Sequence, residues 1–427
     1  MKRLQAFKFE LMPNGEQQRN MRRFAGACRF VFNKALALEN ENRSAGNKLI
    51  GYNKMANHLP VWKVEFPWLK EAPSQALQQT LKDLYLAFDR FFKEKKGGLV
   101  TAPDNRKERK KLKLAGVKMA HPPVFKKKGQ SEAGIRFPQG TELDQTTHRV
   151  KLPKLGWLRY RCSRDVIGTI KNVTVSSSGG KWYVSLQTER EVELPVPQGD
   201  AVGIDVGIAR FATLSDGTVY APLNSFKRHE TALRKAQQAM SHKTKFSNNW
   251  KKAKARVQRI HSRIGNTRRD FLHKTSNAIS QNHALVFVED LRIRNMSKSA
   301  AGTTEAPGKQ VRAKSGLNKS ILDQGWFEFR RQLDYKLAWK GGHLVAVPPR
   351  NTSRTCPCCG HVSAENRQTQ AKFECVECGF EENADLVGAI NVLRAGHARL
   401  ACEVNGAVMP SAAGTHRSVS GAVQCRA

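Results

Sequence analysis

Two closely spaced pairs of cysteines constrain the fold of this chain more than any other feature. Cys356 and Cys359 are separated by two residues, as are Cys375 and Cys378, and fifteen residues lie between the pairs. This is the spacing of a four-cysteine zinc site. The glycine that follows each pair permits the sharp turn by which backbone amides support the thiolates. Because four thiolates leave no position open for water, the sequence predicts a structural Zn²⁺ ion rather than a catalytic one.

The other cysteines do not form a disulfide framework. The chain has nine cysteines, of which five lie in the window 356–378 and the rest are scattered. Cys358 is an alternative ligand for the first pair, although the two-residue spacing favours Cys356 with Cys359. This distribution predicts a reducing compartment, the cytoplasm of the cell. No apolar run approaches the roughly 18–20 residues of a spanning helix, so no membrane association is expected.

The charge balance indicates a polyanionic partner. The chain has 73 Lys and Arg against 36 Asp and Glu, a formal net charge of +37. Such an excess favours nucleic acid, bound through release of its counterions, over a membrane or a small-molecule substrate. The excess is concentrated in residues 93–128 and 227–274. Each stretch is either a solvated basic face or a surface that contacts phosphates, and the sequence leaves both readings open.

Three acids stand beside apolar segments, where carboxylates are costly to bury unless they are paired or bind a metal. Asp205 is expected in the middle of a strand in VGIDVGI, Glu289 ends the apolar strand VFVE, and Asp385 begins a helix, seven residues after Cys378. Three converging carboxylates can hold two Mg²⁺ ions, and such a pair activates water and stabilises the leaving oxygen in phosphodiester hydrolysis. The sequence therefore predicts a two-metal site in Asp205, Glu289 and Asp385.

Each acid also has a simpler explanation. Asp385 could favour the helix dipole, Glu289 could be a surface acid at a strand end, and Asp205 could be a buried, hydrogen-bonded aspartate. The strand-Asp-Gly pattern around Asp205 also occurs in actin-like ATPases. Those proteins need a second glycine-rich phosphate loop, which this sequence lacks, and no P-loop or GxGxxG motif follows a strand.

Apolar spacing divides the rest of the chain into α- and β-rich parts. The patterns predict an opening strand, helices over 16–43 and 73–96, an all-β stretch over 130–195 with Gly179-Gly180 in a hairpin turn, and a basic helical segment over 227–274. Residues 297–320 are polar and rich in Gly, Ser and Ala, so a mobile loop is expected there. The tail beyond about residue 405 is expected to be disordered.

Several motifs together resemble a known family. GIDVGIARFATLSDG, ALVFVEDLRIRNM, LNKSILDQGWFEFRRQLDYKLAWKGG and the segment from NTSRTCPCCGHVS to FECVECGFEENADLVGAINVLRAG are similar to the TnpB/OrfB proteins of insertion sequences, relatives of the type V CRISPR effectors. The match is close over about residues 200–400 and looser toward the N-terminus. One departure is Leu386-Val387-Gly388, where many relatives have an asparagine shortly after the last acid.

The resemblance implies an α+β or α/β multidomain protein with a transposon-encoded, RNA-guided DNA endonuclease activity, often called a transposase. Guide RNA and a double-stranded DNA target would be its partners, in the cytoplasm and associated with the nucleoid. Asp205, Glu289 and Asp385 would be the catalytic acids, and Arg354 would contact the scissile phosphate. The alternatives are a guide-dependent or non-specific DNA-binding protein that does not cleave, and a transposase that transfers DNA strands.

The resemblance also implies a division of the chain into domains. It comprises a β-barrel-like wedge domain (1–12 and 120–198), a helical recognition lobe (13–119), a RuvC-like nuclease domain of RNase H fold (199–347 and 381–404), a zinc-ribbon insert that binds target nucleic acid (348–380) and a disordered tail (405–427).

Overall fold

The computed structural model describes residues 1–128, 134–302 and 306–406 of the 427-residue chain. The chain divides into two compact units. The first contains Met1–Glu193 and Leu233–Ser262, and the second contains Leu194–Ala232 and the residues from Arg263 onward. Each unit has its own buried apolar core. The mixed α/β, multidomain class expected from the sequence is confirmed.

An antiparallel sheet forms the β part of the first unit. Its strands are β1 (Lys2–Met12), β4 (Gly134–Phe137), β5 (Glu142–Asp144), β6 (Arg149–Leu152), β7 (Gly156–Tyr160), β8 (Thr169–Ser178) and β9 (Lys181–Glu191). They lie in the order β4-β8-β9-β1-β7-β6-β5. In β1, the buried side chains of Phe7, Phe9 and Leu11 alternate with more exposed ones, which is the period of a strand with one face on a core. The predicted turn at Gly179-Gly180 joins β8 to β9.

Four helices and a 3-10 turn of the first unit contribute to the same apolar core as this sheet. They are α1 (Gly15–Ser44), α2 (Tyr52–Ala56), α3 (His58–Glu65), the 3-10 turn (Pro67–Glu71) and α4 (Ser74–Lys96). The first unit also contains α5 (Arg106–Leu114) and a short parallel pair, β2 (Val100–Thr101) and β3 (Met119–Ala120). Asn14 and Gln17 start α1 as a capping box, each side chain accepting the other's backbone N–H. The helices predicted over 16–43 and 73–96 are confirmed.

A mixed sheet forms the centre of the second unit. Its strands, in sheet order, are β12 (Val219–Tyr220), β11 (Ala212–Leu214), β10 (Ala201–Asp205), β13 (Leu285–Glu289) and β14 (His343–Val347). Strands β10, β13 and β14 are parallel, whereas β11 and β12 run antiparallel. Because parallel strands end at one edge of a sheet, the last residues of β10 and β13 lie side by side.

The remaining helices are α6 (Ser225–Ser241), α7 (Asn248–Asn282), α8 (Ile293–Met296), α9 (Val311–Gln324), α10 (Trp326–Ala338) and α11 (Ala384–Gly406). Helix α11 packs very closely on β10 at Gly203. A Cβ atom at position 203 would lie 2.2 Å from the carbonyl oxygen of Ala389, so only glycine permits this approach. The contact fixes the start of α11 against the end of β10.

Between β14 and α11 the chain forms a small two-stranded sheet. Strands β15 (Lys372–Glu374) and β16 (Glu381–Asn383) pair antiparallel, and an isolated bridge joins Thr355 to Val362. The four predicted zinc ligands lie in this segment. It ends one residue before α11, so its path determines where that helix begins.

The expectation of a loop over 297–320 was wrong for its second half, because α9 begins at Val311. The helix has no continuous apolar stripe: Leu317 and Leu322 are exposed. Polar contacts hold it instead, with Lys314 Nζ donating to the Met296 carbonyl at 2.7 Å and Asn318 Nδ2 donating to the Lys298 carbonyl at 3.0 Å. Apolar periodicity in the sequence therefore does not indicate this helix.

Two further expectations change in detail. The basic segment 227–274 consists of two helices, α6 and α7, joined by a turn. Asp205 is the last residue of β10 rather than a mid-strand residue. The predicted disordered tail beyond residue 405 lies, from residue 407, outside the described residues. Among the described residues, no helix has both the length and the apolar character needed to span a bilayer.

Candidate active site and cysteine cluster

Three acids meet where β10, β13 and α11 come together in the second unit. Asp205 and Glu289 are the last residues of neighbouring parallel strands, one position beyond the paired Ile204 and Val288. Asp385 is in the first turn of α11. The tight approach continues one turn later, since a Cβ atom at position 388 would lie 3.1 Å from Asp205 Oδ2. The structure thus brings together the three acids that the sequence singled out.

The environment of these acids opposes their ionisation. Burial, together with the nearby carboxylates of Glu289 and Asp385, raises the pKa of Asp205 to about 7, against the opposing effect of the Arg367 guanidinium. Burial also raises the pKa of Glu289, against a hydrogen bond from Thr352 and the charge of Arg367. Buried acids that raise one another's pKa are typical of functional sites and of sites for divalent cations.

Glu289 is held by a short chain of hydrogen bonds. Thr352 Oγ1 donates to Glu289 Oε1 at 2.6 Å. Asn391 Nδ2 in α11 donates to the carbonyl oxygens of Thr352 and Thr355 at 2.8 and 2.7 Å. Thr352 and Asn391 are both buried. The helix that carries Asp385 is therefore bonded to the segment that orients Glu289.

Two arginines flank Asp385. Arg210 Nε and an Arg367 guanidinium nitrogen lie 3.9 Å from its two carboxylate oxygens. Arg210 also donates to Asn383 Oδ1 at 3.0 Å, and the same oxygen accepts the backbone N–H of Asp385 at 3.1 Å. Asn383 thereby caps the start of α11 and ties Arg210 to it. The cationic groups partly offset the negative charge of the three acids.

The acids are near one another without forming a tight cluster. In the described part of the chain, a single group of three or more ligating side chains has all its ligand atoms within 4.8 Å, and that group is the four cysteines. At least one pair of the three carboxylates therefore has its oxygens more than 4.8 Å apart. As a donor set, three carboxylates whose charges repel still fit hard divalent cations such as Mg²⁺.

The cysteine cluster has the geometry of a tetrahedral metal site. The sulfur atoms of Cys356, Cys359, Cys375 and Cys378 all lie within 4.8 Å of one another. The Cys356–Cys378 and Cys359–Cys375 sulfur pairs are 3.6 Å apart. Four thiolates about 2.3 Å from a central Zn²⁺ ion would be about 3.8 Å apart, so the spacing fits zinc. Cys358 is exposed and lies outside the group.

The glycines after the two cysteine pairs form the sharp turns that the sequence predicted. Gly360 and Gly379 have φ angles of 79° and 70°, and each donates its N–H to the carbonyl of the first cysteine in its pair. Burial opposes ionisation of Cys375, but backbone N–H groups of Cys378 and Glu377, together with hydrogen bonds from the thiols of Cys359 and Cys378, lower its pKa to about 6. Thiolate formation, which zinc binding requires, is thus favoured at this position.

A buried asparagine joins the two halves of the cysteine segment. Asn366 Nδ2 donates to the carbonyl oxygens of Arg354 and His361, and its Oδ1 accepts the N–H of Val376 at 3.0 Å. The next residue is Arg367, one of the two arginines near the acids. Residues next to both cysteine pairs therefore hold Asn366, and this fixes the neighbouring Arg367 near Asp385.

The contact between Arg354 and the scissile phosphate stays a prediction. Arg354 is exposed, and the described ion pairs of Asp385 are with Arg210 and Arg367. Sequence reasoning missed these two arginines together with Thr352 and Asn391. Their residue types carry no signal by themselves, because their importance comes from where the fold places them.

Three family models match this chain. One described as "Probable transposase" matches residues 181–300, one described as "Cas12f1-like, TNB domain" matches 326–392, and one described as "Helix-turn-helix domain" matches 1–48. The last description does not fit the geometry, since residues 1–48 contain one strand and one 30-residue helix. The first two models cover the segments that carry Asp205, Glu289, the cysteines and Asp385.

Two relatives are similar over nearly the whole chain. A protein of Escherichia coli K12, "Putative RNA-guided DNA endonuclease InsQ", is 56% identical over 94% of each chain. A "Putative RNA-guided DNA endonuclease" of Streptomyces pristinaespiralis is 31% identical over 93% of this chain and 90% of its own. A solved structure of a mini-RNA-guided endonuclease is 10% identical over 92% of each chain with a TM-score of 0.43, too low to carry an argument. By its identity to InsQ over almost its full length, this chain belongs to the TnpB/OrfB family of insertion-sequence proteins.

Proposed function

We propose that this protein is an RNA-guided DNA endonuclease with one active site, formed by Asp205, Glu289 and Asp385. The observation that carries the proposal is the meeting of these acids at one edge of a mixed sheet, where burial and the charges of Glu289 and Asp385 raise the pKa of Asp205. The names of the two relatives support the activity and its guide. A DNA-binding role without cleavage would leave this costly grouping of buried carboxylates unexplained.

The domain assignment is part of the proposal. The mixed sheet with α11 packed on β10 supports a RuvC-like nuclease domain of RNase H fold over 199–347 and 381–404. The cysteine cluster and the match to the TNB model support a zinc ribbon over 348–380. The antiparallel sheet supports a wedge domain over 1–12 and 120–198, with a helical recognition lobe over 13–119.

The acids would hold divalent cations, with Mg²⁺ as the expected metal. Bound Mg²⁺ supplies Lewis acidity and lowers the pKa of a coordinated water. The protein's own part is positional. Thr352 fixes one oxygen of Glu289, Asn391 fixes Thr352, and the contact of α11 with β10 at Gly203 sets the distance from Asp385 to Asp205.

We further propose that Arg367 contacts the scissile phosphate. Its guanidinium is close enough to Asp385 to influence both Asp205 and Glu289, and arginine suits a phosphate because of its fork of donors. The matched test compares Arg367→Ala with Arg354→Ala, the position that the resemblance implied. Arg367→Ala should lower the cleavage rate at least tenfold more than Arg354→Ala does, and the reverse order would return the role to Arg354.

The basic surface supports nucleic-acid partners. Helix α5 carries six Lys and Arg residues against Glu108, and α6 and α7 are also strongly basic. The proposed partners are a guide RNA and a double-stranded DNA target, in the nucleoid of a prokaryotic cell, with base pairing reading the sequence and the protein gripping backbones. The salt dependence of binding would reflect these contacts.

The first experiment is to purify the protein, sequence the RNA that remains bound, and compare DNA binding and cleavage by wild-type protein and Asp205→Ala. The proposal predicts a discrete RNA, with cleavage lost in the variant and binding retained. Folded protein without a discrete RNA would favour the non-specific binding protein. The "Probable transposase" model makes strand transfer the second alternative, and joined donor–target products in place of hydrolysed ends would favour it.

A further inference from the structure

An exposed phenylalanine marks the turn between α6 and α7 in the first unit. Phe246 is 75% exposed. Its ring contacts the partly buried ring of Trp250, with centroids 5.5 Å apart and planes tilted by 53°. One face of this aromatic pair is thus supported by protein, while Phe246 itself projects into solvent. Phe246 therefore offers an accessible aromatic face.

The backbone at Phe246 is unusual for this residue type. The Ser247 N–H donates to the Thr244 carbonyl at 3.2 Å and closes a four-residue turn with Phe246 in third place. The φ angle of Phe246 is 69°, in the left-handed region that glycine or asparagine normally occupies at such a position. Ser247 Oγ then accepts the Trp250 N–H at 3.1 Å and starts α7. Glycine would suit this turn better, so the geometry of the turn does not explain a phenylalanine at position 246.

The sequence around this aromatic pair carries many basic residues and no acidic one. No Asp or Glu occurs between Glu230 and Asp270, a stretch with twelve Lys and Arg residues. Lys254 Nζ lies 5.2 Å from the centroid of the Trp250 ring. Exposed lysines stand on both sides of the turn, at positions 243, 245, 251 and 252. An aromatic face among cations is complementary to a base flanked by phosphates.

We infer that Phe246 stacks on an unpaired base of the bound RNA while the neighbouring lysines contact the flanking phosphates. A base inside a duplex has both faces covered by its neighbours, so the ring requires an unpaired base. Folded RNA offers such bases in its loops and ends, whereas a DNA duplex does not. The inference rests on the proposed function only in taking RNA as the partner, and it does not depend on cleavage.

The test uses three substitutions of Phe246 and one matched control. Phe246→Ala removes the ring. Phe246→Gly removes it while suiting the positive φ, so it separates stacking from backbone strain. Phe246→Trp keeps an aromatic face. Phe327→Ala is the control, since Phe327 is 74% exposed but lies on α10 in the second unit. The probes are a 20-nucleotide oligouridine, a 20-base-pair RNA duplex and a 20-nucleotide oligothymidine, measured by fluorescence anisotropy with full-length protein.

Phe246→Ala and Phe246→Gly should both weaken oligouridine binding about 5- to 150-fold, the range expected for one stacked base. Phe246→Trp and Phe327→Ala should bind within twofold of wild type, and duplex affinity should not change. Three results would overturn the inference: a change below twofold in both ring-deleting variants, equal losses on oligouridine and duplex, or a loss confined to oligothymidine. Because Asp205→Ala should leave these affinities unchanged, failure of this inference and failure of the proposed nuclease activity are seen in separate assays.

Discussion

Replacing Asp205 by asparagine should stabilise the metal-free protein even though it removes a proposed catalytic acid. Burial and the neighbouring acids raise the pKa of Asp205 from an ordinary 3.8 to about 7. This difference corresponds to a cost of about 4 kcal/mol for holding the ionised carboxylate in the folded state. Asparagine has nearly the same shape and no charge, so the variant avoids that cost.

The sign and pH range follow from proton linkage. Between pH 3.8 and about 7 the folded state retains a proton on Asp205 that the unfolded state has lost, so wild-type stability falls as the pH rises through this range. At pH 4 the free energies of unfolding of wild type and Asp205→Asn should be nearly equal. At pH 8 the variant should be more stable by up to about 4 kcal/mol.

The assay is hydrogen exchange with mass spectrometry across a guanidinium series, with no added Mg²⁺, following peptides that cover β10 and α11. These peptides report on the second unit alone. The matched control is Asp334→Asn, an exposed acid on α10, which should change stability by no more than about 0.5 kcal/mol. Equal stability of wild type and Asp205→Asn at pH 8, or a variant less stable than wild type, would contradict the electrostatic account of this site.

Three other perturbations test how the acids are positioned. Thr352→Val, which keeps the volume but loses the 2.6 Å hydrogen bond to Glu289, should lower the single-turnover cleavage rate about 10- to 100-fold, and Thr352→Ser should restore it. Gly388→Val should impair cleavage more than Gly388→Ala does, because a side chain at 388 presses on Asp205 Oδ2; equal rates for the two variants would refute this packing argument. Cys375→Ser should release zinc, measured as metal per chain, and lower the cleavage rate although the thiol touches no acid; a variant that retains one zinc per chain would show that the predicted cluster is not the metal site.

The meeting of the three acids and the clustering of the four cysteines could be predicted because their sequence signals are local. A carboxylate next to an apolar strand, as at Asp205 and Glu289, is conspicuous in the sequence itself. The spacing of the cysteines specified a cluster that the structure then assembled. In each case the chemistry of a few neighbouring residues carried the information.

Other parts of the site depend on long-range contacts and could not be predicted. Thr352 donates a hydrogen bond to Glu289, 63 positions away in the chain. Arg367 lies near Asp385 because the segment that holds the two cysteine pairs fixes its position. Helix α9 was missed for a related reason, since side-chain bonds to distant backbone carbonyls hold it rather than an apolar stripe. Such contacts leave no periodic trace in the sequence.

Cleavage of a DNA library by the protein with its co-purified RNA tests whether the bound RNA directs the nuclease. The library carries the sequence complementary to the guide, next to randomised flanking positions, and a second library carries a scrambled complement. An RNA-guided endonuclease with its active site at Asp205, Glu289 and Asp385 should cleave the first library alone, with Mg²⁺ and not without it, as wild-type protein and not as Asp205→Ala. Cleavage of both libraries alike, or undiminished cleavage by Asp205→Ala, would contradict this prediction.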